Sequence, residues 1–265
     1  MKTLARLAGL GLVLYAANLQ AQNISGTDDF STVTGNWTDG TTANGGAFSV
    51  SGGLLNFTDG GVTTGVTSSA QRAWTLNAGS SVADWQVQLD LGLNFTQVAG
   101  QVSTWTLVFA NSANNTDYFQ VDFLRSYMQL NPFVRGTLYT NGSMGTQQQS
   151  DVTAAATVRI DYIASSQYLV LAYDADGAAG GYSFTDLYGG SVAGWGMGST
   201  DTFALGLQAS NAAMSGPASG ILPGTFYADN FVATSTPIPE PASYAAMAGL
   251  IAMVGAGLWR RLRQQ

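Results

Sequence analysis

The side chains available for chemistry in this chain are almost all aspartates. Its 265 residues contain no histidine and no cysteine, lysine occurs only at Lys2, and glutamate only at Glu240. A Ser-His-Asp or Cys-His site therefore cannot be assembled. Zinc has no imidazole or thiolate to hold it, and no lysine in the body of the chain can activate a serine or form a Schiff base. What remains is paired-carboxylate chemistry, in which one aspartate serves as acid and another as base in glycoside hydrolysis. No spacing along the chain singles out such a pair. The reading is of a non-enzyme, with an aspartate-only polysaccharide hydrolase as the weaker alternative.

Two local patterns point to binding. Asp174-Ala175-Asp176-Gly177 alternates carboxylates and closes on glycine, as a calcium loop begins, which makes Asp174 and Asp176 candidate calcium ligands. The bidentate Glu that ends such a loop is missing, and Asp and Gly are equally what a hairpin turn requires. Trp37 and Trp195 lie among Gly, Asn, Asp and Thr, in segments that read as loops. An exposed indole beside a polar handle is a platform for a sugar ring, so both are candidate glycan-binding residues. The competing reading folds them down over the edge of a core. Six Asn-X-Ser/Thr sequons, beginning at Asn23, Asn36, Asn56, Asn94, Asn114 and Asn141, follow from the Asn- and Thr-rich composition.

The elements that must position these residues are strands. In Trp85 to Leu93 every second residue is apolar, so Trp85, Val87, Leu89, Leu91 and Leu93 share one face and Gln86, Gln88, Asp90 and Gly92 the other. Trp105-Leu107-Phe109, Phe119-Val121-Phe123, Val158-Ile160-Tyr162 and Phe203-Leu205-Leu207 repeat that period. Weaker runs lie at 47–50, 54–58, 73–76, 133–139, 168–173, 182–186 and 226–233. About a dozen short strands with no convincing amphipathic helix predict an all-β antiparallel sandwich, with a closed barrel as its competitor.

The ends of the chain read as targeting segments. Lys2 and Arg6 precede an apolar run from Leu7 to Ala17, with a cleavage site after Ala21, which predicts a signal peptide over residues 1–21. At the other end, Pro237-Ile238-Pro239-Glu240-Pro241 is stiff and extended, because each proline fixes its own φ and restricts the residue before it. Residues 242–259 carry no charge and would span about 27 Å as a helix, near the minimum for a bilayer. Arg260, Arg261 and Arg263 follow and mark the cytoplasmic side. Between the ends, residues 22–235 form one domain's length. There four arginines face fifteen aspartates, a net charge of −11 that repels phosphate backbones and excludes nucleic acid as a partner.

The Pro239-Glu240-Pro241 motif, the apolar stretch with Tyr244 and glycines 249, 255 and 257, and the Arg260-Arg261 tip resemble the PEP-CTERM sorting signal. That resemblance covers 236–265 only. It implies an exosortase as processing partner, a transient or permanent membrane anchor, and a cell-surface or extracellular location in an organism that makes extracellular polysaccharide. Across residues 28–234, the opening Asp28-Asp29-Phe30 and Trp37, the paired FSVSGGLLNFT at 48–58, DYFQVDFLR at 117–125, VRIDYIASSQYLVLAYDADG at 158–177 and FYADNFVAT at 226–234 resemble the concanavalin A-like lectin/glucanase jelly roll. Enzymes of that superfamily use a pair of strand glutamates, which this chain lacks, so the resemblance implies the fold and glycan affinity and not hydrolysis. The leading expectation is a structural or adhesive exopolysaccharide-associated surface protein, and the alternative a lectin-like carbohydrate-binding module.

Overall fold

Alternating strands with one apolar face bury that face only by meeting another sheet, and this chain builds two. The computed structural model describes residues 26–31, 36–74, 79–129, 131–178 and 180–235. Among them the strands run, in chain order, β1 (Gly26–Asp28), β2 (Trp37–Ala43), β3 (Ala47–Ser51), β4 (Leu54–Thr58), β5 (Thr67–Trp74), β6 (Gly79–Ser80), β7 (Trp85–Leu93) and β8 (Gln101–Asn111). There follow β9 (Asn114–Ser126), β10 (Phe133–Thr140), β11 (Ser143–Asp151), β12 (Ala155–Ile163), β13 (Tyr168–Asp174), β14 (Thr185–Ser191), β15 (Thr202–Ala213) and β16 (Phe226–Thr234). The first sheet has the order β14-β13-β12-β7-β16-β4-β3, with β1 also on β16; the second has β11-β10-β9-β8-β15-β5-β2, with β6 also on β15. Every strand pairing is antiparallel. The sandwich expected from the alternation is what forms, and the barrel is not.

The core lies between the sheets. Val87, Leu89, Leu91, Val158, Ile160, Leu169 and Leu171 from the first sheet meet Trp105, Leu107, Phe109, Phe119, Val121, Phe123 and Leu205 from the second, all buried. With no disulfide to constrain the unfolded chain, this apolar interior carries the stability.

Some segments differ from the sequence reading. The run expected at 73–76 begins earlier, at Thr67, and the one expected at 182–186 is shifted into β14. Trp37 opens β2 and is not in a loop; β11 is a further strand that alternation does not reveal. No described helix is long and apolar enough to cross a membrane. The signal peptide, the 242–259 helix, and Pro239, Glu240, Pro241, Arg260, Arg261 and Arg263 all lie outside the described residues.

Candidate functional site

Strand β7 puts Gln86, Gln88, Asp90 and Gly92 on the face pointing away from the core, where period-two reading leaves them in water. They are not in water. Gln86 is 2% exposed, Gln88 4% and Asp90 9%. The antiparallel register sets Asp161, Arg159 and Thr157 of β12 directly opposite Gln86, Gln88 and Asp90, and Tyr227 of β16 opposite Gly92. This gives a polar row two strands wide, largely covered by what stands on either side.

One wall is the connection between β13 and β14. Asp174 Oδ2 accepts the Ser183 amide at 2.5 Å, which turns the segment back over the sheet. Tyr182 then donates its hydroxyl to Asp90 at 3.3 Å, and its ring stacks on Phe184 at 5.7 Å. Phe184 in turn lies against the Arg159 guanidinium, 4.3 Å away, a cation–π contact. Arg159 also pairs with Asp161 at 3.0 Å, and Asp161 accepts the Gln86 amide.

The other wall comes from an irregularity in β16. Its register on β7 slips between Asp229 and Val232, and Asn230 takes a positive φ of 49°, a conformation that asparagine tolerates better than most residues. A bulge of this kind re-aims side chains. Here it brings the Asn230 amide to Asp90 at 2.8 Å and to Asp229 at 3.4 Å. Tyr227 completes the wall by laying its ring over Gly92, where a Cβ would stand 2.2 Å from the ring; only glycine admits that approach. The rings and Asp229 are half-buried and Asn230 is exposed, so the site is a trough with an amide and carboxylate floor between aromatic rims.

Electrostatics keep the trough hydroxyls as neutral donors. Burial, reinforced by the charge of Asp90, pushes Tyr182 up to about 12. Burial and then Asp229 raise Tyr227 as well. Burial lifts Asp161 above its ordinary value, against the pull of Gln86 and Arg159, and burial does the same to Asp229 against the Asn230 amide.

The residues singled out in the sequence lie elsewhere or act differently. Trp37 is 8% exposed and packs edge-on against Trp74 at 4.9 Å and Phe231 at 5.1 Å. Trp195 is 5% exposed, in a 3-10 turn at Ala193–Trp195 over Phe203. Neither presents an exposed stacking face: both are large apolar rings that gain more by covering the sandwich edge than by meeting water. Asp174 is buried and accepts the Ser183 and Asp176 amides where the long connection between β13 and β14 begins. A hydrogen bond and the charge of Asp174 raise Asp176. Calcium takes 6–8 oxygen ligands. Among the described residues no three of His, Cys, Asp and Glu converge.

Three solved structures carry the same arrangement of strands. The lectin UEA-II in complex with galactose matches at a TM-score of 0.52 and 14% identity, over 81% of this chain and 99% of that one. The CBM2 module of the evolved Dit of Lactobacillus casei BL23 phage J-1 matches at 0.52 and 12%, over 83% and 99%. The VIP36 exoplasmic/lumenal domain in its Ca2+/Man2-bound form matches at 0.51 and 7%, over 84% and 94%. The fold is a lectin-like jelly roll. No protein-family model matches the chain. No curated protein does either. At these identities the likeness establishes the jelly roll and nothing about its ligand.

Proposed function

We propose that this jelly roll is a non-catalytic carbohydrate-binding module, exported from the cell, that takes a glycan in the trough on the outer face of its first sheet. The observation that carries the reading is the buried Gln86, Gln88 and Asp90 floor between the rings of Tyr182, Phe184 and Tyr227. Sugars offer apolar C–H faces and hydroxyl edges, and such a site answers the first with rings and the second with amides, carboxylate and phenol. Solved jelly rolls of this shape hold galactose and a Man2 glycan, which supports the same ligand class here.

A hydrolytic role is weaker. Asp90 and Asp229 share the Asn230 amide, so a carboxylate pair exists. Yet both oxygens of Asp90 already accept hydrogen bonds, from Thr157, Tyr182 and Asn230, which fixes it as an acceptor rather than a proton carrier. The test is a glycan array with the full-length chain, with and without calcium. Binding is expected without calcium, and Tyr182→Ala and Phe184→Ala should each weaken it at least about tenfold, the loss of one good stacking contact. Trp195→Phe should leave it unchanged. Binding unaffected by the first two variants would overturn the site. Release of reducing ends that disappears in Asp229→Asn would overturn the non-catalytic part.

A second reading, sorting by an exosortase into an exopolysaccharide-rich surface layer, rests on Pro239-Glu240-Pro241, the uncharged 242–259 stretch and Arg260, Arg261 and Arg263. The fold is compatible with it. β16 leaves the first sheet beside Gln86, whereas the segment carrying Tyr182 and Phe184 joins it at the opposite end, so an anchored tail leaves that end of the trough outermost. Changing Glu240 and Pro241 to alanine in the native host should stop the shift in size and place that processing produces. An unchanged shift counts against sorting and leaves the trough untouched.

A further inference from the structure

The trough holds two carboxylates that nothing in the protein neutralises. Register places Asp229 of β16 directly opposite Asp90 of β7, on the outer face of the sheet. Like charges in that position repel and destabilise the pairing. Among the described residues neither carboxylate is in an ion pair, and their side-chain donors, Thr157, Tyr182 and Asn230, are all neutral. Burial first, and then the charges of Asp90 and Asp29, hold the Asp229 carboxyl above its ordinary value against the Asn230 backbone amide. Arg159 does not relieve them, because it pairs with Asp161 under the Phe184 ring.

Most donors on the floor are engaged within it. The Gln86 amide reaches Asp161, the Asn230 amide reaches both Asp90 and Asp229, and the Tyr182 hydroxyl reaches Asp90. Gln88 gives its amide to the Tyr182 oxygen. Its carbonyl oxygen, on a residue only 4% exposed, accepts no hydrogen bond from the described residues. A buried acceptor left open is costly unless a ligand brings the donor.

We propose that the trough selects a glycan bearing free amino groups, whose ammonium sits between Asp90 and Asp229 beside the rings of Tyr182 and Tyr227. This rests on the trough being the glycan site. An ammonium carries three donors and no acceptor, which complements the two carboxylates and the Gln88 carbonyl. Its charge is also attracted to the faces of tyrosine rings, while the sugar's C–H face has the same rings to lie on. N-acetylation removes that charge, leaves one N–H and adds a carbonyl oxygen to a floor already rich in acceptors. A uronic acid brings a further negative charge to the same place, so the arrangement that attracts the amine rejects the acid.

The test is calorimetric titration of the full-length protein in detergent with a β-1,4-linked glucosamine trisaccharide and with its N-acetylated counterpart. The free amine is expected to bind at least about tenfold tighter, by an advantage that shrinks as salt rises. Asp229→Asn should abolish the advantage and leave binding of the N-acetylated sugar unchanged; its fold survives, since an asparagine oxygen still accepts the Asn230 backbone amide. Asp151→Asn removes the same charge from the far edge of the second sheet and should change neither. Equal binding of the two sugars, with both weakened by Tyr182→Ala, would overturn the amine preference and leave the trough reading standing. Amine binding that Asp229→Asn and Asp151→Asn weaken alike would overturn it as attraction to an acidic surface at large. Trilysine that competes as well as the amino sugar would overturn the choice of a glycan. Binding of neither sugar would overturn this inference together with the trough reading.

Discussion

Replacing Trp85 with alanine is expected to lower the unfolding free energy by about 3–5 kcal/mol, read from the urea midpoint at unchanged slope. The indole is 1% exposed and contacts Phe109 at 5.6 Å, Tyr162 at 5.5 Å and Phe203 at 5.0 Å, so its removal leaves a void that these rings fill only by leaving their own positions. Gly79 closes the site from behind: a Cβ there would stand 2.1 Å from the indole. Gly79→Ala is therefore destabilising too, since the ring has no free space to retreat into. Trp85→Phe separates packing from polarity. Trp85 Nε1 has no hydrogen-bond partner among the described residues, so phenylalanine gives up ring area but no hydrogen bond, and its cost should be about 1–2 kcal/mol. A phenylalanine variant as unstable as the alanine variant would show that the indole contributes through something other than packed area.

Why Trp85 was legible and Trp37 was not follows from their neighbours. Trp85 begins a strand buried along its whole length, and strict alternation revealed its direction. Trp37 begins β2, whose other six residues are exposed; edge strands are held by backbone bonds to a single neighbour and need no apolar face. The same physics hid β11, with its run of glutamines. Central strands announce themselves in hydropathy because both neighbours and the opposite sheet demand it, and edge strands do not.

The trough was half legible. Period two placed Gln86, Gln88 and Asp90 away from the core. It could not show that the 175–184 segment folds over them, because that depends on Asp174 capturing the Ser183 amide and on Phe184 meeting Arg159, contacts that join different strands. The carboxylate pair at Asp174 and Asp176 pointed to the segment that forms a wall of the site, which Asp174 holds by accepting the Ser183 amide. Gly92, a glycine inside a strand of alternating polarity, was the one local signal of a close approach, and the ring above it is Tyr227.

Asn211→Leu should cost about 3 kcal/mol for a reason that volume does not capture. Asn211 is fully buried at the end of β15. Its amide nitrogen donates to Asp59 at 3.0 Å and to the Ser219 carbonyl at 2.9 Å, while its oxygen accepts from Gln101 at 3.0 Å and Ser103 at 3.2 Å. Asp59 in turn accepts the amides of Gly61 at 3.1 Å and Ile221 at 2.9 Å and the Ser68 hydroxyl. Leucine fills the space but strands the buried Gln101 and Ser103 groups and takes one donor from a carboxylate, and unpaired buried polar groups cost more than paired ones gain. The damage should be local before it is global. Ile221, 1% exposed, is held down by Asp59, so amide exchange in the 219–221 segment should quicken in Asn211→Leu while β7, β8 and β12 keep their protection. Uniform loss of protection across both sheets would mean instead that this network supports the whole sandwich and not just the loops at its end.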